Sequence, residues 1–208
     1  MQKQATVQMN VIESIADQVA LWLNKERNGS HIDYLKMKLG IEIILTNLTT
    51  SVLIYGVALA CNLVLQTLVL HSAYYAIRRV SFGLHASTRL RCSAVSIVLF
   101  VGTPMLGSYL LMNNLVVTIL GSLLTLLLYR YAPADTDKFP LLGEERRRKL
   151  RRSSVITSIL ITLIALLCPN ILIKSLLMIG LALQVIMILP ITYKLLNRSV
   201  QNYEQYER

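Results

Sequence analysis

Apolar residues follow one another along most of this chain in four long stretches that contain no Asp, Glu, Lys or Arg. The stretches cover residues 43–77, 92–129, 153–173 and 175–193, and they are 35, 38, 21 and 19 residues long. A helix needs about 20 apolar residues to cross a bilayer, so each of the first two stretches is long enough for two crossings. Inside lipid, only helices satisfy the backbone hydrogen bonds of such segments. The pattern therefore predicts several membrane-spanning helices.

Short polar interruptions divide the apolar sequence into six predicted helices. The interruptions are Cys61-Asn62, Met112-Asn113-Asn114 and Pro169-Asn170. The predicted helices cover residues 41–60, 63–77, 93–111, 115–131, 154–168 and 173–194 and form three hairpins. The second and the fifth contain only 15 residues each, so they either cross the membrane or form short or re-entrant segments that leave four full crossings. The predicted fold class is an all-α, polytopic membrane protein.

The composition agrees with a membrane protein and argues against nucleic-acid binding. Hydrophobic residues make up 54% of the 208 residues and charged residues 15%, against about 25% charged residues in ordinary globular domains. The net charge is +10, but nucleic-acid binding requires a solvated basic surface, whereas these cations cluster between apolar runs. The three cysteines form no CxxC pair, so neither a disulfide scaffold nor a zinc site is predicted.

The positions of the cations predict the orientation in the cell membrane. The three polar interruptions carry no charge, whereas the connections between the hairpins hold nearly all the Lys and Arg of the apolar region. Short cytoplasmic loops carry the excess of Lys and Arg in membrane proteins. We therefore expect a cytoplasmic or interfacial N-terminal region (1–38), a membrane domain (39–196) with cytoplasmic loops at 78–92 and 132–153, and a cytoplasmic tail (197–208).

The N-terminal region contains a further predicted helix. Apolar residues recur at helical spacing from Ile12 onward, and Glu13, Asp17 and Lys25 lie outside that stripe. The segment is too short and too polar to span a bilayer. Two alternatives fit the pattern equally well, namely an amphipathic helix in the membrane interface and a helix packed on the cytoplasmic face of the bundle.

The loop at 78–92 holds the candidate chemistry. His85 and Cys92 lie seven residues apart there, among four arginines. Nearby cations and a helix N-terminus lower the pKa of a thiol, and a histidine can take the thiol proton and return it to a leaving amine. In one straight helix the two residues would stand about 10.5 Å apart along the axis, so their contact requires a bend, which Gly83 together with Ser87 offers. The alternative is that both residues are structural.

Four motifs resemble one known family of membrane proteins. They are the pattern R-R-x-x-x-G-x-H-A-x(6)-C at 78–92, Tyr131-Ala132-Pro133-Ala134-Asp135-Thr136, Leu39-Gly40-Ile41-Glu42-Ile43-Ile44, and Leu189-Pro190. In order and spacing, the chain resembles the accessory gene regulator protein B (AgrB) family from about residue 10 to residue 196. One departure is that many members have two adjacent glycines before the His-Ala pair, whereas here Gly83 is followed by Leu84.

The resemblance implies a membrane cysteine endopeptidase of quorum sensing in Gram-positive bacteria. Such an enzyme removes the C-terminal part of an AgrD-like precursor peptide and holds the remainder as a thioester, from which a thiolactone or lactone ring forms. The family's catalytic residues fall on His85 and Cys92. The resemblance also implies a homodimer and no metal or organic cofactor. Two other functions stay open on the residues alone: a small peptide exporter, and a membrane scaffold without catalytic activity.

Glu42 and Arg79 are the next candidates in the sequence. Glu42 lies at the start of the first predicted span, where an ionisable residue is costly and often functional. It either orients His85 as a third catalytic residue or pairs with an arginine such as Arg79.

The basic run before the fifth predicted span has two interpretations. The cations concerned are Arg146, Arg147, Arg148 and Lys149. Cations beside a span fix topology and attract anionic lipid. Since the family's precursors carry an acidic C-terminal part, the same cations are also candidates for substrate binding.

Overall fold

The computed structural model describes residues 11–27, 29–84, 89–136 and 140–207, excepting the side chains of residues 89–92 and 108. The helices are α1 (Val11–Arg27), α2 (His31–Ala60), α3 (Val64–Ser81), α4 (Arg89–Ile97), α5 (Thr103–Met105), α6 (Asn114–Tyr131), α7 (Glu144–Leu167), α8 (Ile171–Ile188) and α9 (Pro190–Leu195). A π-helical turn covers Val98–Gly102, and 3-10 turns cover Gly107–Tyr109 and Asn202–Gln205. The chain divides into two compact units, Met1–Ile54 and Tyr55–Arg208.

Four helices within the described part of the chain are long and apolar enough to cross a membrane: α2, α6, α7 and α8. The prediction of an all-α, polytopic membrane protein is therefore confirmed. Of the two alternatives for the fifth predicted span, the structure favours a crossing, because that span lies inside α7, which has 24 residues and includes the basic run. α3, which contains the second predicted span, is not among these four helices, and the third predicted span corresponds to a shorter apolar helix at Ser93–Met105.

The polar interruptions predicted between the helices of each hairpin are all confirmed. α2 ends at Ala60, and Asn62 adopts a left-handed backbone conformation with a φ of 55°. Asn113 caps α6, because its side-chain oxygen accepts a hydrogen bond from Val116 N at 2.9 Å. Asn170 caps α8 in the same way through the N–H groups of the first turn. Side-chain caps satisfy N–H groups that have no partner within the helix, which is why asparagine marks the second and third of these turns.

The third predicted span, residues 93–111, is helical only as far as Met105 and contains a π-helical turn instead of a regular α-helix throughout. α4 ends at Ile97, the π-helical turn follows, and α5 is a single turn that ends at Met105. Pro104 explains the interruption, since it has no N–H to donate to the carbonyl four residues earlier and its ring crowds that carbonyl. The prediction of a continuous helix over this range is wrong.

The last predicted span is also interrupted, between α8 and α9. Leu189 has an extended backbone (φ −66°, ψ 137°), the conformation that a following proline favours, and Pro190 begins α9. Because the helix stops there, the carbonyl of Met187 has no partner one turn ahead and instead accepts a hydrogen bond from Leu84 N at 3.3 Å. The interruption of the helix thus allows the end of α8 to form a hydrogen bond with the segment that precedes His85.

In the first unit, α1 confirms the helix predicted in the N-terminal region. Ala16 and Ala20 are fully buried on one face of α1. Between them, the carboxylate of Asp17 accepts hydrogen bonds from Lys38 Nζ at 2.8 Å and from the hydroxyl of Tyr34. These two donors hold the pKa of Asp17 below its ordinary value. Apolar side chains elsewhere on α1 are exposed, which fits the interfacial alternative: Val11, Ile15, Val19, Leu21 and Trp22.

In the second unit, α3, α6, α7 and α8 surround a shared apolar core. Small residues allow close approach between these helices. A methyl group added at Gly180 on α8 would lie 2.5 Å from the backbone oxygen of Leu70 on α3. Between α6 and α7, the hydroxyls of Thr125 and Ser158 form a hydrogen bond of 2.8 Å. The packing of α8 against α3 positions the end of α3, where the candidate site begins.

Candidate active site

The two predicted catalytic residues follow the end of α3. His85 lies outside the described residues. The backbone of Cys92 belongs to the first turn of α4, where a helix N-terminus favours a thiolate. α3 ends at Ser81 and Phe82–Leu84 is not helical, so the chain bends at Gly83 as its sequence indicated.

The turn before His85 has an unusual backbone. Phe82 has a φ of 55° and Gly83 has a φ of 108°, both in the left-handed region that favours glycine. A methyl group added at Gly83 would lie 2.9 Å from Ile188 Cγ2 and 3.0 Å from the carbonyl oxygen of Met187. The second of these is backbone and cannot move aside cheaply. Glycine is therefore required at position 83 both by conformation and by space.

Arg78 binds the carbonyl groups of this turn. Its Nη1 donates to Phe82 O at 2.8 Å, and its Nη2 donates to Gly83 O at 3.2 Å and to Leu84 O at 2.5 Å. The last carbonyls of a helix and those of the turn that follows have no intrahelical partner, and a guanidinium group presents several donors in a fixed plane. One half-buried arginine thus fixes the direction in which the chain leaves α3.

Gln184 of α8 supports the same turn from the opposite side. Its side chain is fully buried. The Nε2 atom donates to Phe82 O at 2.6 Å and to Ser81 Oγ at 2.8 Å, while the Oε1 atom accepts from Arg78 Nη1 at 3.4 Å. Gln184 is not among the residues that the sequence motifs single out. A signal was nevertheless present, since a lone amide in an apolar run must find a polar partner inside the protein.

The Ala-Pro-Ala-Asp segment after α6 pairs with the turn like a short strand. Gly83 N donates to Ala134 O at 2.8 Å, and Ala134 N donates to Ser81 O at 3.0 Å. The backbone of Ala134 is therefore hydrogen-bonded both to Ser81, at the end of α3, and to Gly83, in the turn. This pairing gives a structural reason why the two motifs at 78–92 and 131–136 occur in the same chain.

Asp135 links this segment to the C-terminal tail. Its carboxylate, which is almost fully buried, accepts hydrogen bonds from Asn202 N at 3.1 Å and Tyr203 N at 2.8 Å. Its carbonyl oxygen accepts from the hydroxyl of Tyr193 at 2.8 Å. Asp135 is thus an anchor for the tail rather than an exposed acid.

The predicted substrate-binding cations have different environments at the start of α7. Arg147 is half-buried and forms a bidentate ion pair with Glu207, at 2.7 and 2.8 Å. Arg148 pairs with Glu144 at 3.0 Å on the exposed surface. Arg146 and Lys149 are exposed. Their role in substrate binding stays a prediction.

The remaining candidates lie on two different helices. Glu42 is half-buried on α2 in the first unit, and Arg79 is exposed at the end of α3 in the second unit. Their pairing, and the alternative contact of Glu42 with His85, both stay predictions. Within the described ranges, no three His, Cys, Asp or Glu residues are gathered closely enough to hold a metal ion.

Comparison with known proteins identifies the family. Residues 12–188 match the family model for accessory gene regulator B (AgrB). The chain is 42% identical over 203 residues to an AgrB-like protein of Listeria innocua serovar 6a, which covers 97% of this chain and 98% of the relative. An AgrB-like protein of Clostridium acetobutylicum is 38% identical over 199 residues, 96% of this chain and 95% of the relative.

A relative with the family's full name is more distant. Accessory gene regulator protein B of Staphylococcus haemolyticus is 34% identical over 185 residues, which covers 89% of this chain and 97% of the relative. No solved structure matches the chain. The helical membrane architecture, the paired motifs around the turn at Gly83 and these similarities lead to one conclusion: the chain belongs to the AgrB family.

Proposed function

We propose that this protein is a membrane cysteine endopeptidase that cuts an AgrD-like precursor peptide, with Cys92 as nucleophile and His85 as general base and acid. The observation that carries the proposal is the fixed turn at Phe82–Leu84. Arg78 and Gln184 hold this turn directly before His85. Catalysis depends on holding reacting groups in one geometry, and a turn bound at each of its carbonyls supplies such a fixed support.

The position of Cys92 adds a second argument. Its backbone lies in the first turn of α4, and the arginines at 89 and 91 are its neighbours in sequence. Positive charge and a helix N-terminus both favour the thiolate over the thiol. The other two cysteines are placed differently, since Cys61 and Cys168 lie at the turns that end α2 and α7.

The proposed first step forms an acyl-enzyme. His85 takes the proton of the Cys92 thiol, and the sulfur attacks the scissile carbonyl carbon of the precursor. The C–N bond of the tetrahedral intermediate then breaks while His85 returns the proton to the leaving nitrogen. The C-terminal part of the precursor leaves as a free amine, and the N-terminal part stays bound to Cys92 as a thioester.

The second step closes the ring without water. A Cys or Ser side chain of the bound fragment attacks the thioester carbonyl, its proton passes to the departing Cys92 sulfur through His85, and a thiolactone or lactone is released. Exchange of one thioester for another is nearly isoenergetic, whereas hydrolysis of the thioester is strongly favourable and would release a linear peptide. Ring closure therefore requires that water be kept away from the acyl-enzyme. This need suits a site at a membrane boundary.

The arrangement in the cell is part of the same proposal. Cytoplasmic loops at 78–92 and 132–153 would meet a precursor from the cytoplasmic side of the cell membrane, and the exposed cations of α7 would attract its acidic part. The active form would be a homodimer. These points rest on the cation distribution and on the family, and labelling of single cysteines at Asn113 and Ser153 from opposite sides of sealed vesicles tests the orientation.

Trapping the thioester tests the chemistry. Full-length protein in vesicles is incubated with an AgrD-like precursor that has an acidic C-terminal part, and covalent adducts are detected by mass spectrometry. We expect an adduct of the N-terminal fragment that hydroxylamine removes. Cys92→Ala should abolish both the adduct and cleavage, and Cys92→Ser should reduce cleavage by at least about 100-fold, because a hydroxyl is a much weaker nucleophile than a thiolate.

Matched controls separate the proposed nucleophile from the other thiols. Cys61→Ala and Cys168→Ala remove a thiol without touching the site, and both should cleave like the unchanged protein. His85→Ala should stop turnover, and high pH should not restore it if His85 also protonates the leaving amine. A normally inserted Cys92→Ala protein that still cleaves would contradict the peptidase proposal and favour a peptide exporter acting beside another protease.

A further inference from the structure

The C-terminal tail of this chain makes an inner contact with Asp135, in the segment after α6, and an outer contact with the start of α7. The inner contact is buried, because Asn202 and Asp135 are 3% and 5% exposed and are joined through the carboxylate of Asp135. The outer contact is the carboxylate of Glu207. It accepts hydrogen bonds from Gly143 N at 2.7 Å and from both Nη atoms of Arg147.

The group that receives Glu207 is built to hold a carboxylate. A backbone N–H at a helix start and a bidentate guanidinium converge on one pair of oxygens, which is a geometry specific for a carboxylate. Arg147 is itself held in place, since its Nη1 also donates to Leu141 O at 2.9 Å and its guanidinium lies 3.9 Å from the centre of the Tyr203 ring. Arg147 is therefore held by contacts with Leu141 and Tyr203 that do not involve Glu207.

The outer contact can exchange while the inner contact remains. The side chains of Arg147 and Glu207 are 15% and 33% exposed, so water and competing anions reach the pair. Ion pairs open to solvent are weak and sensitive to salt. The buried inner contact keeps the end of the tail close by, which gives Glu207 a high effective concentration at the site.

Further cations surround the carboxylate site. Arg130 and Arg151 line the same cavity of about 260 Å³ as Arg147. Arg148, Lys149 and Arg152, together with the single acid Glu145, line a separate surface groove on α7. A ligand with several carboxylates spaced along a chain fits this surface better than a single anion does.

From this arrangement we propose that the tail is an internal competitor for acidic peptides. Glu207 occupies the carboxylate site at the start of α7, and an acidic peptide segment binds there by displacing Glu207. The inference rests on the proposed function in so far as the precursor's acidic C-terminal part is the natural peptide. The competition between Glu207 and a peptide carboxylate concerns binding alone, so it does not require that the protein cleave the peptide.

Peptide binding to an inactive variant tests the inference. Full-length Cys92→Ala protein is placed in phosphatidylcholine nanodiscs, and binding of a fluorescein-labelled hexaglutamate peptide is followed by anisotropy. Glu207→Gln should bind the peptide about three to ten times more tightly, because the site is vacated. Arg147→Gln should bind several-fold more weakly. A synthetic peptide of residues 199–208 should compete with hexaglutamate on the Glu207→Gln variant.

Glu204→Gln is the matched control. It changes the net charge by the same amount in the same tail, but Glu204 is exposed and has no ion pair with any described residue. It should leave peptide affinity unchanged. Equal gains in Glu204→Gln and Glu207→Gln would mean that only net charge matters, and no gain in Glu207→Gln would mean that the tail does not compete. Either result would overturn the inference.

One further measurement distinguishes an acidic peptide from a lipid headgroup as the ligand of the carboxylate site. The use of the inactive variant separates peptide binding from cleavage. In phosphatidylglycerol nanodiscs, a gain in lipid binding on Glu207→Gln without any gain for the peptide would identify the occupant as an anionic headgroup and overturn the inference. Because binding is measured in Cys92→Ala, the expected affinities would stand even if the active protein cleaved no precursor. In that case the peptidase proposal would fail and the peptide site would remain.

Discussion

The turn at Phe82–Leu84 and the start of α7 both hold polar groups in place, but by different means. At the turn, Arg78 and Gln184 bind backbone carbonyls, which are neutral acceptors, in a region where Ser81, Gly83 and Leu84 are buried. At the start of α7, the main contact is an ion pair between two partly exposed side chains. The first arrangement fixes a backbone, whereas the second holds a charge that solvent can reach.

The difference shows which region suits which task. Buried hydrogen bonds to a backbone cannot exchange with water, so removal of one partner leaves an unsatisfied polar group. Such a region is suited to keeping a catalytic residue in one position. An exposed ion pair loses little when it opens, so it is suited to binding and releasing a charged peptide. We therefore expect changes at the turn to lower kcat and changes at α7 to alter mainly KM.

The largest effect is expected from Gly83→Ala. A side chain at this position combines a positive φ with a contact of 3.0 Å to the carbonyl oxygen of Met187. The turn must shift to relieve it, and displacement of a catalytic group by about 1 Å costs on the order of 100-fold in rate. Cleavage of the precursor should fall by at least that factor, measured as kcat in vesicles.

Gly56→Ala is the control for this substitution. A methyl group at Gly56 on α2 meets no atom within 4 Å, and its helical backbone suits alanine. This variant should retain activity and unfold at the same temperature or slightly higher. If Gly83→Ala cleaved as well as Gly56→Ala, the turn would not be the rigid support that the comparison describes.

A smaller loss is expected from Gln184→Leu. Leucine fits among the apolar neighbours of α8 but donates no hydrogen bond to Phe82 O or to Ser81 Oγ. Phe82 O keeps its hydrogen bond from Arg78, so the turn should be loosened rather than lost, and kcat should fall by roughly tenfold, less than the factor expected for Gly83→Ala. Initial rates at saturating precursor measure it, and KM should change little.

Gln66→Leu tests whether any amide in an apolar helix has this effect. Gln66 is a half-buried residue of α3 for which the described residues provide no hydrogen-bond partner. Its replacement should leave kcat within about twofold of the unchanged protein, as for most substitutions away from specific contacts. Equal losses in the two variants would point to a general packing effect rather than to support of the turn.

The smallest effect concerns the pH dependence of tail docking. Donation from Arg147 and from Gly143 N holds the pKa of Glu207 below its ordinary value of 4.5. A carboxyl group whose pKa is lowered by docking stabilises the docked state above that ordinary value and loses this contribution as the pH falls through the lowered value. The outer part of the tail should therefore stay docked at neutral pH and be released only as the pH falls below that ordinary value.

A spin label at Gln205→Cys, in a protein whose native cysteines are replaced, measures this release as increased mobility. Glu207→Gln should be mobile at every pH, which separates Glu207 from other acids that titrate in the same range. If the label were equally immobile at neutral pH with Glu207 and with Glu207→Gln, Glu207 would not hold the tail. The start of α7 would then not be a region held by an exchangeable ion pair.

Much of the architecture was predictable because it depends on local patterns. Charge-free runs predicted apolar helices, and Asn62, Asn113 and Asn170 marked the turns between them. The two errors in helix continuity have one cause. Pro104 and Pro190 stand inside runs that are apolar throughout, and hydrophobicity alone does not show where a helix loses its hydrogen bonds. The positions of the prolines, rather than hydropathy, mark both breaks.

The candidate site was predictable only in part. The spacing of Gly83, His85 and Cys92 indicated the loop at 78–92, and the resemblance to the AgrB family gave that loop a chemistry. The partners of the loop were not predictable from the pattern, because Gln184 and Ala134 lie 101 and 51 residues beyond Gly83 in the sequence. Hydrogen bonds over such separations depend on how the helices pack, and no local periodicity encodes that packing.

The sequence by itself determined that this is a helical membrane protein of the AgrB family, because hydrophobic runs, caps and motifs are properties of contiguous residues. Only the tertiary structure decided which polar groups meet. It brought Arg78 and Gln184 onto one turn and Glu207 onto Arg147. In each case a buried or half-buried polar group needed a partner, and among many polar residues of the right chemistry, helix packing selected the one within reach.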